Sequence, residues 1–215
     1  MIELRNVYKC FGDKIIFQNL NYTFKEGNIY HLKGDNGSGK SVLLRILTGF
    51  SLVDDGKVII DDKEIGKDID FIENAGVIIN KDEFISYLSG YDNLKLLLDI
   101  QKKTQYDVIM DYAKFFDLEA DIKDKPYRSY SQGMKQKLRL IQAFMESPKY
   151  LFLDEPTNAL DKNSIDKLYQ LMEQFKEEHN KIIIFITHTD DAIVELANIE
   201  LMIENYNIKE EHKKK

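Results

Sequence analysis

Gly34-Asp35-Asn36-Gly37-Ser38-Gly39-Lys40-Ser41 fits the pattern G-x-x-x-x-G-K-[ST] of a phosphate-binding loop. An apolar run, Ile29-Tyr30-His31-Leu32, leads into it, and a helix-like run, Val42-Leu43-Leu44-Arg45-Ile46-Leu47, leads out. That strand–loop–helix context is what the motif requires. Gly34, Gly37 and Gly39 let the backbone curl so that successive N–H groups point inward and form an anion nest. The start of the helix adds about half a positive charge at the same place. Lys40 can then reach the β- and γ-phosphates of a nucleotide, and the Ser41 hydroxyl can bind Mg²⁺. A plain glycine-rich turn before a helix is the bland alternative, and the flanking elements count against it.

Outward from this loop the chain alternates strands and helices. Ile2 to Tyr8 and Ile15 to Phe24 read as extended, joined by a turn at Gly12-Asp13. Gly49 is placed to cap the first helix. Strands follow at Lys57 to Ile60 and Gly76 to Ile79. Between Ser89 and Tyr127 the pattern changes to two amphipathic helices, Tyr91 to Gln101 and Gln105 to Leu118, with Pro126 at the exit. This divides a single domain, 1–215, into a core of 1–88 and 128–215 and a helical insert of 89–127. Helices over Ser131 to Glu146 and Asn163 to His179 bracket a buried strand, Tyr150 to Leu153. A β-branched core strand, Lys181 to Thr187, a short helix at Ala192 to Leu196 and an edge strand at Ile199 to Asn205 complete the chain. Such alternation predicts an α/β fold with a mainly parallel sheet.

Composition narrows the function. The 215 residues are 43% hydrophobic and 31% charged, enough for a real core on a soluble chain. A net charge of −7, with no dense basic run before Lys213-Lys214-Lys215, argues against a nucleic-acid partner. The single cysteine, Cys10, excludes a disulfide within the chain and makes a cysteine-based metal site improbable, which points to the cytosol. No N-terminal segment suits a signal peptide, and no apolar run approaches the roughly 20 residues a bilayer needs.

Leu151-Phe152-Leu153-Asp154-Glu155 is a buried strand ending in two carboxylates. Beside a phosphate loop, Asp154 is the candidate Mg²⁺ holder and Glu155 the candidate base that polarises water. Ser131-Gln132-Gly133-Met134 opens a helix whose N-terminus is bare enough to attract an anion, although an ordinary capped helix looks the same. His188 follows a core strand at the sheet edge where the other chemistry collects, whereas His31, His179 and His212 have no such setting.

Taken together, these residues resemble the nucleotide-binding subunit of ABC transporters, over nearly the whole chain and in the family's order. Gly34 to Ser41, followed by Val42, looks like the Walker A loop, and Tyr130-Ser131-Gln132-Gly133-Met134 like the signature motif. Leu151 to Glu155 looks like Walker B with Glu155 as catalytic glutamate, Asn158-Ala159-Leu160-Asp161 like the D-loop, and His188 like the switch histidine. Phe11 stands where the family stacks an aromatic ring on adenine, with Tyr8 the second choice. Asn80 stands where the family usually has its Q-loop glutamine. It is one methylene shorter than glutamine, and a water could fill the gap to Mg²⁺.

The resemblance implies a P-loop NTPase fold with an N-terminal antiparallel β part and an inserted α-helical subdomain. It implies ATP and Mg²⁺ as cofactors, and closure of two subunits, alike or different, around two ATP molecules. Each site would take its Walker A loop from one subunit and Ser131, Gln132 and Gly133 from the other. It also implies a polytopic membrane permease, docked near Phe84, Tyr87 and Tyr91, with this subunit on the cytoplasmic face of the cell membrane. The Tyr-Ser before Gly-Met and the Tyr91-Asp92-Asn93-Leu94 stretch are similar to the exporter branch that includes bacitracin-resistance subunits. Two other readings compete. A soluble ABC ATPase of protein or cofactor assembly would carry the same motifs. The chromosome-maintenance type is disfavoured, because only about ninety residues separate Lys40 from Ser131 and no sustained heptads occur. A small-molecule phosphotransferase would need an acceptor pocket and a basic lid, and neither is visible.

Overall fold

In the computed structural model, residues 1–79, 84–101, 105–178, 180–188 and 192–211 are described. Asn80, His179, His212 and the terminal Lys213, Lys214 and Lys215 lie outside the described residues.

The chain starts with a long antiparallel hairpin, β1 (Ile2–Phe11) and β2 (Lys14–Phe24). Then come β3 (Asn28–Lys33), α1 (Lys40–Thr48), β4 (Asp55–Ile60), β5 (Lys63–Glu64) and β6 (Ala75–Ile78). Helices α2 (Gly90–Ile100), α3 (Asp107–Phe115) and α4 (Gln132–Phe144) follow. The rest is β7 (Tyr150–Asp154), α5 (Lys162–Glu177), β8 (Ile182–Ile186), α6 (Ala192–Leu196), β9 (Ile199–Glu204) and β10 (Asn207–Glu211). Among the described residues these strands make two sheets. One is antiparallel, in the order β2-β1-β4-β5, and the other runs β10-β9-β3-β8-β7-β6 with only β10 antiparallel.

The central strands read as unbroken apolar runs because both faces are covered. In β8, Ile182, Ile184 and Ile186 enter the core shared with α1 and the antiparallel sheet, while Ile183 and Phe185 enter the core shared with α4 and α5. In β7, Tyr150 and Phe152 face one way, Leu151 and Leu153 the other. This is the period-2 alternation of a strand sandwiched between two layers. Fully burying each such side chain contributes about 1.5–3 kcal/mol. Gly76 lets β6 approach α4: a Cβ there would lie 2.0 Å from the Ala143 carbonyl oxygen.

Element ends follow local chemistry. Gly49 caps α1 at φ 86, and its N–H donates to the Ile46 carbonyl. Ser89 caps α2 by accepting from the Asp92 N–H at 3.0 Å. Helix α3 is shorter than the sequence pattern predicts, because Asp117 turns left-handed at φ 53 and Leu118 N–H folds back onto the Ala113 carbonyl. The chain leaves the sheet region at Ser89 and returns at Pro126, and those two residues are bridged.

One expectation needs correcting. The strand near Ile199 to Asn205 is not an edge. It is β9, paired with β3 on one side and with β10 on the other. The turn between β9 and β10 is Asn205-Tyr206, both at positive φ (49° and 62°), a two-residue hairpin without glycine. No helix of the described residues is long and apolar enough to cross a membrane.

Candidate functional site

The carboxyl ends of β3, β8 and β7 lie side by side in the sheet, with Asp154 in register with Ile186. Everything those strands lead into therefore converges on one edge. From β3 the chain enters the glycine loop. Gly34 has φ 139, and a Cβ there would meet Ser38 Oγ at 2.7 Å and the Ile203 carbonyl at 2.8 Å. Gly39 occupies the N-cap position of α1 at φ 111, and a Cβ there would be 2.7 Å from Ile16 of β2. Only glycine fits either place, since both combine a left-handed backbone with direct contact. No side chain caps α1, so its first N–H groups face the cavity unshielded.

A cavity of about 630 Å³ opens at this edge. Its lining takes Asn36, Gly37, Gly39, Lys40, Ser41 and Val42 from the glycine loop and the start of α1, and Asp154, Glu155, Asn158 and His188 from the ends of β7 and β8 and the turns after them. Phe11, half exposed at the end of β1, stands at the rim with Lys9 Nζ 5.1 Å from its ring centroid. The structure thus brings together residues from the first and last thirds of the chain. Ile16 and Lys14 of β2 also line the cavity. Sequence reasoning missed both. No sequence signal marks them, since Ile16 and Phe17 are buried side by side rather than in alternation.

Lys40 is buried, and its Nζ donates to the carbonyls of Gly34 at 2.6 Å and Asp35 at 3.0 Å. Burial pulls its pKa down, against the attraction of Glu155, Asp154 and Asp35. Glu155 has a left-handed backbone, φ 51, with its N–H bonded to the Ile186 carbonyl at 3.0 Å. Burial pushes its carboxyl pKa up, the charge of Asp154 adds to that, and His188 opposes it. Its Oε1 is buried without a hydrogen-bond partner, and His188 Nε2 lies 3.4 Å away, an ion-pair distance once the imidazole is protonated. Ser38 Oγ is likewise buried and unpartnered inside the loop.

Several observations fit an anionic ligand held with a metal. The loop's cradle is one a Cβ would fill, and a hydroxyl and a carboxylate oxygen stand unpaired around it. Ser41 and Asp154 both line the cavity and offer hard oxygen donors. Two such oxygens match the one or two that Mg²⁺ takes from a protein, its other positions being filled by phosphate and water.

Ser131, Gln132 and Gly133 do not line this cavity. Ser131 caps α4, its hydroxyl accepting from the Met134 N–H at 3.2 Å, and is exposed. Gly133 packs on the turn after β7: a Cβ there would be 2.9 Å from the Ala159 carbonyl. Gln136, buried one turn on, donates to the Pro156 carbonyl at 2.9 Å. A second cavity, of about 500 Å³, runs between α4 and that turn, walled by Gln132, Lys135 and Arg139 and sharing Asp154, Glu155 and Asn158 with the first. Away from both, a groove of about 430 Å³ is lined by Phe50, Phe84, Ile85, Leu96, Leu97 and Ile100. Of the three aromatics expected at a docking face, Phe84 lines it, Tyr87 is exposed nearby in sequence, and Tyr91 instead packs under Lys123.

Comparison with known proteins gives a consistent result. Residues 17–158 match the family model described as ABC transporter. The chain is 36% identical over 201 residues to the uncharacterised ABC transporter ATP-binding protein YybJ of Bacillus subtilis, covering 94% of this chain and 91% of that one. It is 28% identical over 221 residues to the bacitracin transport ATP-binding protein BcrA of Enterococcus faecalis, covering 100% and 71%. Among solved structures, the dimeric post-hydrolysis state of the ATP-binding cassette MJ0796 bound to ADP and Pi has the same fold. Its TM-score is 0.85 at 23% identity, covering 100% of both chains.

Proposed function

The chain belongs to the ABC transporter family of ATPases, and from that premise we propose that it is the ATP-hydrolysing subunit of a transporter, pairing around ATP to drive a separate membrane permease. The observation that carries this reading is the shared cavity, which sets the Lys40 loop against Asp154, Glu155 and His188.

In this reading the loop N–H groups from Gly37 to Ser41 hold the phosphates. Lys40 turns from the Gly34 and Asp35 carbonyls toward the β- and γ-phosphates. Gly34, Asp35, Asn36 and Ser38 shape the cradle, Val42 closes its inner side, and Phe11 stacks on the adenine. Ser41 and Asp154 would hold Mg²⁺, and the ion would supply charge neutralisation to the bound phosphates. Glu155, its pKa raised by burial, takes a proton from the attacking water. His188, 3.4 Å from Glu155, orients that carboxylate. Asn80 is proposed to reach the metal through a water.

Ser131, Gln132 and Gly133 point to a second copy. They form a capped but exposed helix start outside their own chain's cavity, suited to close over the phosphates bound by a partner subunit, identical or not. The apolar groove around Phe50, Phe84, Leu96 and Ile100 suits an amphipathic helix presented by a polytopic permease, which would hold the subunit at the cytoplasmic face of the membrane. The exporter reading rests on the Tyr130-Ser131 and Gly133-Met134 pairs and on Tyr91-Asp92-Asn93-Leu94, which resemble that branch. An ATPase of protein or cofactor assembly would carry the same motifs and is the second reading.

Affinity purification of the tagged subunit from detergent-solubilised membranes tests the choice. A polytopic membrane protein in stoichiometric amount is the expected result. A soluble scaffold in its place would overturn the transport reading and leave the ATPase intact.

A further inference from the structure

The β1–β2 hairpin turns at Gly12-Asp13, with Gly12 at φ 56, and pairs Phe11 directly with Lys14. Both flanking residues line the phosphate-loop cavity. Lys14 approaches the loop from outside: its Nζ donates to the Gly37 carbonyl at 3.4 Å, a long bond for an ammonium with three donors. Among the described residues no carboxylate is within ion-pair distance of it, and the side chain belongs to an exposed residue. The other ammonium of the cavity, Lys40, is buried and turned inward, with Asp35, Asp154 and Glu155 acting on it. A triphosphate passing from the Phe11 rim to the inner loop would therefore meet the Asp154 and Glu155 carboxylates and the buried Lys40, on a chain whose net charge is −7. Among the described lining residues, Lys14 is the exposed cation left for the outer part of its charge.

We propose that Lys14 is a nucleotide-binding residue, its ammonium contacting the phosphate chain while Phe11, its partner across the hairpin, lies against the base. This rests on the reading of the cavity as a nucleotide site. The hairpin tip is then a two-pronged clamp, and the contact at Gly37 is the rest position of the charged prong. A phosphate oxygen is a stronger acceptor than the Gly37 carbonyl, so the ammonium moves to it when nucleotide binds.

Equilibrium binding of a fluorescent ATP analogue, with ATP, ADP and adenosine as competitors, tests the assignment without turnover. At low salt, Lys14→Ala is expected to weaken ATP and ADP about 3- to 10-fold, Lys14→Glu more, and Lys14→Arg by less than about 2-fold. The deficit should shrink as salt rises, because the screening length falls from about 30 Å at 0.01 M to about 3 Å at 1 M. Adenosine should compete equally well against wild type and Lys14→Ala. Unchanged ATP affinity in Lys14→Glu overturns the proposal while leaving the site intact. Equal weakening of adenosine also overturns it, since it would mean that the hairpin itself has shifted. Failure of the wild-type chain to bind any nucleotide would overturn the reading of the site as well.

Discussion

Glu155→Gln separates chemistry from folding at this site. The substitution keeps the side chain's shape and its left-handed backbone but removes the charge. Loss of a general base typically costs 10²- to 10⁴-fold in rate, about 2.7–5.4 kcal/mol of barrier at 1.36 kcal/mol per decade. The effect on stability has the opposite sign. Burial raises the Glu155 pKa, so the folded chain holds the ionised carboxylate less well than the unfolded chain does. Above the folded pKa that difference opposes folding, and a neutral amide is relieved of it. The variant should therefore hydrolyse ATP at least 100-fold more slowly, melt no lower than wild type, bind ATP with undiminished affinity, and accumulate as an ATP-bound dimer. In wild type the rate should fall on acidification as Glu155 protonates, beginning above the ordinary glutamate range, and the variant's residual rate should lack that limb. Phosphate-release kinetics across pH, differential scanning fluorimetry and size-exclusion chromatography with ATP read these out. Wild-type turnover in Glu155→Gln, or the same acid limb in both proteins, would refute the assignment of the base.

Lys40→Ala should abolish nucleotide binding or hydrolysis, since it deletes the ammonium at the loop's centre; isothermal titration with ATP and steady-state turnover check it. Gly76→Ala, far from the nucleotide, should destabilise by about 1–3 kcal/mol, because its Cβ would fall on the Ala143 carbonyl. For a chain of this size that is a fall of roughly 2–12 °C in Tm, and an unchanged Tm would show that β6 and α4 yield. At the opposite end of the sheet, Asp61 accepts from Lys149 and Tyr150, both at 2.7 Å. Burial would raise its pKa, but these bonds and the N-terminal ammonium outweigh that and hold it well below the usual carboxylate range. A depressed pKa contributes stability that is present above about pH 4 and lost below it. Asp61→Asn should thus lower Tm by a few degrees at most at neutral pH, the pair being half exposed, and flatten its acid dependence.

Much of this molecule was legible from residue patterns. The phosphate loop, the strand ending in Asp154-Glu155 and the Ser131 cap are local signals, each written within a few consecutive residues, and they appear where their chemistry predicts. What local patterns do not carry is which elements meet. Nothing around Lys14 or Ile16 marks them as cavity residues until β2 is laid against Gly39. Gln136 reads as one more polar helix residue until its amide is seen on the Pro156 carbonyl. The β9–β10 hairpin escaped because Asn205-Tyr206 takes a glycine-type backbone without a glycine. The apolar groove escaped in part because Phe50 and Ile100, distant in sequence, meet on one lining only in the folded chain.

The bond from Gln136 to Pro156, with Gly133 pressed against Ala159, has a mechanical result. One strut joins the turn that follows Glu155, the proposed base, to the serine-capped tip offered outward. On the proposed reading, a tilt of the strut in response to one pocket's contents would re-aim the tip at the other. Two chains paired in that way would be geared, and would turn a permease as a couple rather than as two independent clocks.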